Sequence, residues 1–399
     1  MKPLSTLASA VKPSATMAID AMYKSMKAQG INVVGFGAGE PDFATPDHIK
    51  EACIQALNED KTKYTPASGI VELKNAVCYR MKKDCGLEYK PEEVLIASGA
   101  KHNVYLAVRA LVDPGDEVVI PGPYWVSYSE IVGICGGKSV VIDCTEEDGF
   151  KLTPEALDAA ITDKTKCILL NSPSNPTGMM YTAQELRALA DVCIKRDIYI
   201  IADEIYYKLV YDGREFVSIC ALGEDVKERT ILINGVSKSY AMTGWRVGYS
   251  LAPAHITKVM SSYVSHSTGA PSSLSQWAAV KALTDSQDTV EEMRKAFEAR
   301  RNYMVDRVNA MELVSCLKPQ GAFYIMMNIS RVFGKKYDGI LIDNCDTFAS
   351  LFLEKGLVAV VSGSGFEAPN YVRWSYATSM ENIREGMDRL EKFLAALTD

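Results

Sequence analysis

Short, wholly apolar runs recur along the chain: Val94–Ala97, Val118–Ile120, Val140–Ile142, Cys167–Leu170, Ile198–Ala202 and Thr230–Ile233. Continuous rather than alternating hydrophobicity predicts strands covered on both faces, as in a mostly parallel sheet. Helical spacing appears between and before them. Residues 14–30 place Ile19, Met22, Tyr23 and Met26 on one face, with Gly30 suited to the position just past a helix end. A second helix is expected from Thr45 as N-cap and Pro46 as first residue, with Ile49, Cys53 and Leu57 on one side. A third opens on Thr182–Glu185, a capping-box pattern, and runs through Leu186, Leu189, Ala190 and Cys193.

Strands alternating with helices predict an α/β layered fold with helices on both faces of the sheet. Residues 285–311 are charged and helix-favouring, as a long exposed or bridging helix would be. New strand-like pieces follow at Gly321–Met327, Val358–Val361 and Tyr371–Tyr376. This change of character predicts a large domain over residues 45–289. A smaller α/β domain is expected from residues 1–44 with 290–399.

Composition narrows the class. The 399 residues include 48% hydrophobic and 23% charged side chains, the proportions of a globular protein. A net charge of −7 argues against a nucleic-acid partner, which would call for a basic footprint. The ten cysteines are scattered without a CxxC pair, and several lie within apolar runs, which predicts free thiols in a reducing compartment. The four histidines lack metal-site spacing, so no metal is expected. The longest uncharged stretch, Val259–Val280, contains seven serines, Gly269 and Pro271, and fails as a membrane span. The mildly apolar Leu4–Val11 is short and interrupted for a signal peptide. A transit peptide is the alternative, since no acid precedes Asp20; the expected location is the cytoplasm.

In sheets of this kind ligands bind at the carboxyl ends of strands. There the apolar runs end in Asn171–Gly178, Asp203–Tyr206, Asn234–Ser239 and Ser98–Lys101. Singly, each has an ordinary explanation: a turn, a helix cap, a solvated lysine. Gly35–Gly39 imitates a dinucleotide fingerprint, but Glu40 occupies the third glycine position. Ser98–Lys101 has the SxxK form of penicillin-recognising enzymes, without their SDN or KTG partners.

As a set they resemble a family. SKSYAMTGWRVGY (237–249), NSPSNPTG (171–178), DEIYYKLVY (203–211), AGEPDF (38–43), KYTPASGI (63–70) and YVRWSYA (371–377) are similar to the class I pyridoxal-phosphate aminotransferases of fold type I. Their order and spacing agree over essentially the whole chain. KPSAT (12–16) and SGAK (98–101) resemble the bacterial aspartate subgroup, some members of which act on prephenate.

The resemblance implies pyridoxal 5'-phosphate as cofactor and Lys238 as its Schiff-base lysine and catalytic base. It implies Asp203 at the pyridine nitrogen, Tyr206 and Asn175 at the phenolic oxygen, and Trp125 against the ring. The phosphate would fall to Arg246, Ser237 and the amides of Gly99, Ala100 and Lys101, with Tyr64 reaching in from the neighbouring subunit of a homodimer with shared sites. Arg373 would grip the substrate α-carboxylate, near Gly39 and Asn175. Animal-type relatives read the distal carboxylate with an arginine after the lysine segment, but no arginine lies between Arg246 and Arg294 here. Lys101 is the expected reader instead, helped by Ser14 or Thr16, with Lys12 relevant to prephenate.

The implied reaction is amino transfer from L-aspartate to 2-oxoglutarate. The alternatives are prephenate, aromatic or alanine amino transfer, and a β-lyase on the same fold. A cofactor-binding regulator would carry a basic DNA-binding appendage, which this sequence does not suggest.

Overall fold

The computed structural model describes residues 2–11 and 15–399. Lys12 and Ser14 lie outside the described residues, as does the side chain of Thr16, so the expectations placed on these three are not addressed by it.

The apolar runs become a seven-stranded sheet: β1 Val94–Ala97, β2 Glu117–Gly122, β3 Lys138–Asp143, β4 Thr165–Asn171, β5 Tyr199–Asp203, β6 Thr230–Gly235 and β7 Gly248–Leu251. Their spatial order is β1-β7-β6-β5-β4-β2-β3. Only β7 runs antiparallel to its neighbours, and the other pairs are parallel. The alternation of side chains across a strand explains the unbroken hydrophobicity. Cys167, Leu169, Ile201, Ile231 and Ile233 enter one core, while Ile168, Leu170, Ile200 and Leu232 enter the core on the opposite face. Leu232 is fully buried, so its truncation to alanine costs about 2–5 kcal/mol.

β3 departs from the expectation of two covered faces. It is one of the two edge strands, and its residues are exposed or half-buried, whereas β1 at the other edge is buried throughout. β7 carries no apolar run that announces it, because Gly248 and Ser250 interrupt the pattern.

The helices bear out much of the periodicity. Ala15–Ala28 packs Ile19, Tyr23 and Met26 against Val33, Leu353 and Ala359, although Met22 is half exposed. Gly30, at φ 79°, ends it: Ile31 N–H donates to the Met26 carbonyl at 3.1 Å, which satisfies a carbonyl of the last turn. The capping box at Thr182 forms, with hydrogen bonds in both directions between Thr182 and Glu185.

Thr45, in contrast, is not an N-cap. The helix is Asp47–Asn58, Pro46 holds the capping position, and Leu57 is exposed. The Thr45 hydroxyl instead donates to the Ala241 carbonyl at 2.7 Å and accepts from Trp245 Nε1 at 3.0 Å. It therefore ties the chain entrance to the segment after Lys238.

A three-stranded antiparallel sheet forms from β8 Tyr324–Asn328, β9 Val361–Ser362 and β10 Tyr371–Ser375, in the order β9-β10-β8. The expected single strand Val358–Val361 is divided: Val358–Ala359 pairs in parallel with Val34–Gly35, while Val361–Ser362 joins β10. Helix Asp288–Asn309 bridges two cores. Its Val290 packs with the seven-stranded sheet, whereas Met293, Phe297 and Met304 pack with the C-terminal sheet. Ile205, Tyr206, Leu209 and Tyr211 also enter this second core, so the 203–211 segment spans both bodies. Among the described residues no helix is long and apolar enough to cross a membrane.

Candidate active site

The strand ends and the C-terminal sheet enclose a cavity of about 370 Å³. Asp203, the last residue of β5, is nearly sealed from solvent. Its Oδ2 accepts from the Tyr128 hydroxyl at 2.8 Å and its Oδ1 from the Ile205 amide at 3.2 Å. Burial pushes this carboxyl up to about 6, and the two donors and nearby Lys238 oppose the rise. Asn171, opposite it in register at the end of β4, donates to the Asp203 carbonyl at 2.8 Å and accepts from the Asn175 amide at 2.7 Å. One amide side chain thus fixes the turn that presents Asn175.

Lys238 follows β6 on a tight turn, and its Nζ donates to the Gly39 carbonyl at 2.6 Å. Burial brings its ammonium down to about 8, with Arg246 and Arg373 adding to the effect and Glu40 and Asp203 resisting it. The amine is therefore available in part as a neutral base near neutral pH. Ser237 beside it is buried and lines the same cavity.

Arg246 has φ 54°, a left-handed conformation that costs an ordinary residue on the order of 1 kcal/mol. Its Nη1 donates to the Thr243 carbonyl at 2.8 Å. Helix Ala100–Leu111 starts next to it, with Gly99 as N-cap. A Cβ on Gly99 would fall 2.6 Å from Arg246 Nη2, and one on Gly248 would fall 2.3 Å from the Ala100 amide nitrogen. Both glycines are needed for the guanidinium and the helix start to share one spot. The first amides of a helix have no partner within it, so this spot is suited to an anion. Lys101 Nζ lies 4.8 Å from the centre of the Trp125 ring, which stands edge-on to Tyr128.

Arg373 lies within β10 and is 2% exposed. Its Nη1 donates to Asn175 Oδ1 at 2.9 Å and its Nη2 to the Gly37 carbonyl at 3.0 Å. The rings of Tyr324 and Phe366 lie 4.4 and 4.9 Å from the guanidinium carbon. Tyr206, also buried, shares a hydrogen bond of 3.1 Å with the Tyr324 hydroxyl. Burial raises the Tyr206 phenol well above its ordinary range, so it stays protonated and can donate.

The structure brings Gly39, Ala100, Lys101, Trp125, Asn175, Asp203, Tyr206, Ser237, Lys238, Arg246 and Arg373 to this one cavity, with Gly99 at its edge. Tyr64 is not among them; it is fully exposed on this chain. Sequence reasoning assigned no role to Tyr128, Tyr324, Glu40 or Thr243. Glu40 accepts from Thr243 Oγ1 at 2.7 Å and faces the same space. The usable signal for Tyr128 was its place three residues after Trp125; Tyr324 reads only as a core strand position.

The fold and the charge set together define an α/β protein with a lysine amine poised beside a buried carboxylate and two arginines. Comparison with known proteins gives the family. The family described as aminotransferase class I and II matches residues 31–390. The aspartate aminotransferase of Bacillus subtilis (strain 168) is 47% identical over 386 residues, 97% of each chain. The probable aspartate/prephenate aminotransferase of Aquifex aeolicus is 44% identical, covering 98% of this chain and 99% of its own. Among solved structures, the aspartate aminotransferase from Rhizobium meliloti superposes with a TM-score of 0.96 at 42% identity, covering both chains completely. That from Thermus thermophilus with maleate gives 0.93 at 40% identity, over 98% of this chain and 100% of its own. The chain belongs to the class I and II aminotransferases. It is a transaminase of fold type I.

Proposed function

We propose that this transaminase uses pyridoxal 5'-phosphate to move the amino group of L-aspartate to 2-oxoglutarate, giving oxaloacetate and L-glutamate by a ping-pong mechanism. The observation that carries this reading is the gathering of Lys238, Asp203, Arg246 and Arg373 around one cavity. The donor set fits the cofactor. A buried carboxylate suits a protonated ring nitrogen, and the glycine-cleared junction of Arg246 with a helix start suits a phosphate.

When bound, the cofactor supplies an aldehyde for covalent attachment and a ring that draws electron density from the substrate α-carbon. Lys238 would provide the amine that holds the cofactor and the base that moves the proton at the substrate α-carbon. Asp203 holds the proton on the ring nitrogen. Tyr206 and Asn175 would hold the phenolic oxygen, and Trp125 would lie against the ring. Ser237, Arg246 and the amides of Gly99, Ala100 and Lys101 hold the phosphate, with Tyr64 joining from a second copy of the chain. Arg373 binds the α-carboxylate through its planar fork, close to Gly39 and Asn175.

Lys101 reads the distal carboxylate, assisted by Thr16 or Ser14. Relatives named for aspartate, and one solved with the dicarboxylate maleate, support an acidic substrate. Relatives named for both aspartate and prephenate favour prephenate as a second acceptor, with Lys12 as its contact.

Residues 45–289 serve as the cofactor domain, and residues 1–44 with 290–399 as a smaller domain that carries Arg373. A homodimer with shared sites follows from the family resemblance, with Tyr64, fully exposed on this chain, as the residue each copy would lend to the other. The ten free cysteines accord with the cytoplasm.

The test is the visible spectrum of the loaded protein. L-Aspartate alone should bleach the cofactor band and 2-oxoglutarate should restore it. A band that ignores aspartate but answers another amino acid would replace the substrate; no band after loading would refute the assignment.

A further inference from the structure

We propose that Tyr324 is a positioning residue with two separable actions, its hydroxyl setting the donor strength of Tyr206 and its ring face holding Arg373 in orientation. This rests on the functional reading above. Tyr324 stands on β8, outside every motif that marks the site in the sequence, yet it lines the cavity and is 1% exposed.

Its two contacts are distinct. The hydroxyl lies 3.1 Å from that of Tyr206. When Tyr324 donates in this pair, the Tyr206 proton is freed for the phenolic oxygen of the cofactor, and a donor that itself accepts a bond is the stronger donor. The ring meets the Arg373 guanidinium at 4.4 Å, with Phe366 at 4.9 Å. This stacking matters because the buried Arg373 Nε has no hydrogen-bond partner among the described residues. The guanidinium is oriented by two hydrogen bonds and by its rings. A Cβ on Gly39 would come within 3.2 Å of the Tyr324 hydroxyl, so a side chain there would press on the same group. The hydroxyl therefore speaks to the cofactor side of the site and the ring to the substrate side.

The experiment compares loaded wild type, Tyr324→Phe and Tyr324→Leu by two readouts. The first is the pH midpoint of the cofactor's visible band without substrate. The second is the dissociation constant of maleate, an unreactive dicarboxylate. Tyr324→Phe keeps the ring and should raise the midpoint by about half a pH unit, because Tyr206 donates less well. Its maleate affinity should stay within about twofold. Tyr324→Leu should weaken maleate roughly tenfold.

An unmoved midpoint in Tyr324→Phe would overturn the hydroxyl's role whatever the leucine variant does, since the phenylalanine ring preserves packing. Unchanged maleate binding in Tyr324→Leu would overturn the ring's role. A wild type that takes up no cofactor would instead bring down the functional reading, and this inference with it.

Discussion

In the seven-stranded sheet the side chains that reach the cavity stand at or just past the ends of strands, as Asn171, Asp203 and Lys238 do. In the three-stranded sheet Arg373 stands inside a strand, with buried residues on both sides of it. A strand end in a parallel sheet faces the ligand by topology, so residue identity there decides chemistry directly. A charged residue within a buried strand has no such warrant and has to be held by what surrounds it. Here that means Asn175, the Gly37 carbonyl and two aromatic rings. The half we assign to the cofactor is positioned by backbone architecture, and the half we assign to the substrate by side-chain packing.

The largest effect that sharpens this contrast is expected at the substrate half. Arg373→Lys should lower kcat/KM for aspartate by roughly 100-fold or more, because an ammonium cannot replace a planar fork held close to two aromatic rings. The cofactor spectrum without substrate should be preserved. A loss below tenfold, or a disturbed resting spectrum, would break the division. Lys101→Ala comes next: kcat/KM for aspartate should fall about 10- to 100-fold, the value of one charged hydrogen bond, while alanine turnover stays near wild type. An equal loss for both amino acids would remove Lys101 as reader of the distal carboxylate.

The smallest effect concerns stability rather than rate. The folded Asp203 carboxyl titrates at about 6, above its ordinary 3.8. The folded state thus keeps this proton to higher pH than the unfolded chain does. Stability falls as pH rises from 3.8 to 6, and the full cost of the buried charge is present above 6. Cofactor-free Asp203→Asn should therefore melt a few degrees above cofactor-free wild type at pH 7.5. The gap should close as pH falls through 6 toward 3.8. Calorimetry across this range would check it; a variant less stable at pH 7.5 would contradict the sign.

The same contrast explains what the sequence made legible. The parallel strands and the polar residues ending them were readable because double-sided burial and strand-end chemistry are local patterns. Thr182 was readable as a cap because its partner lies three residues away. Thr45 was not, since its hydroxyl bonds Ala241 and Trp245 far along the chain. β3 deceived because its apolar residues do not reveal that the neighbouring elements leave it part exposed, whereas they cover β1 at the opposite edge. Tyr128, between two serines, and Tyr324, in an apolar run, were missed because only the fold brings each hydroxyl to Asp203 or Tyr206. Arg373 was found through the family resemblance, whereas its alternating strand alone allowed a solvent-facing side chain.

Lys238 as the point of covalent attachment is the central claim. Loading the protein with pyridoxal phosphate, reducing with borohydride and mapping the peptides by mass spectrometry tests this directly. One phosphopyridoxyl adduct is expected, on Lys238, and it is lost when L-aspartate is added before the reduction. An adduct on another lysine, or one on Lys238 that aspartate does not remove, would contradict it.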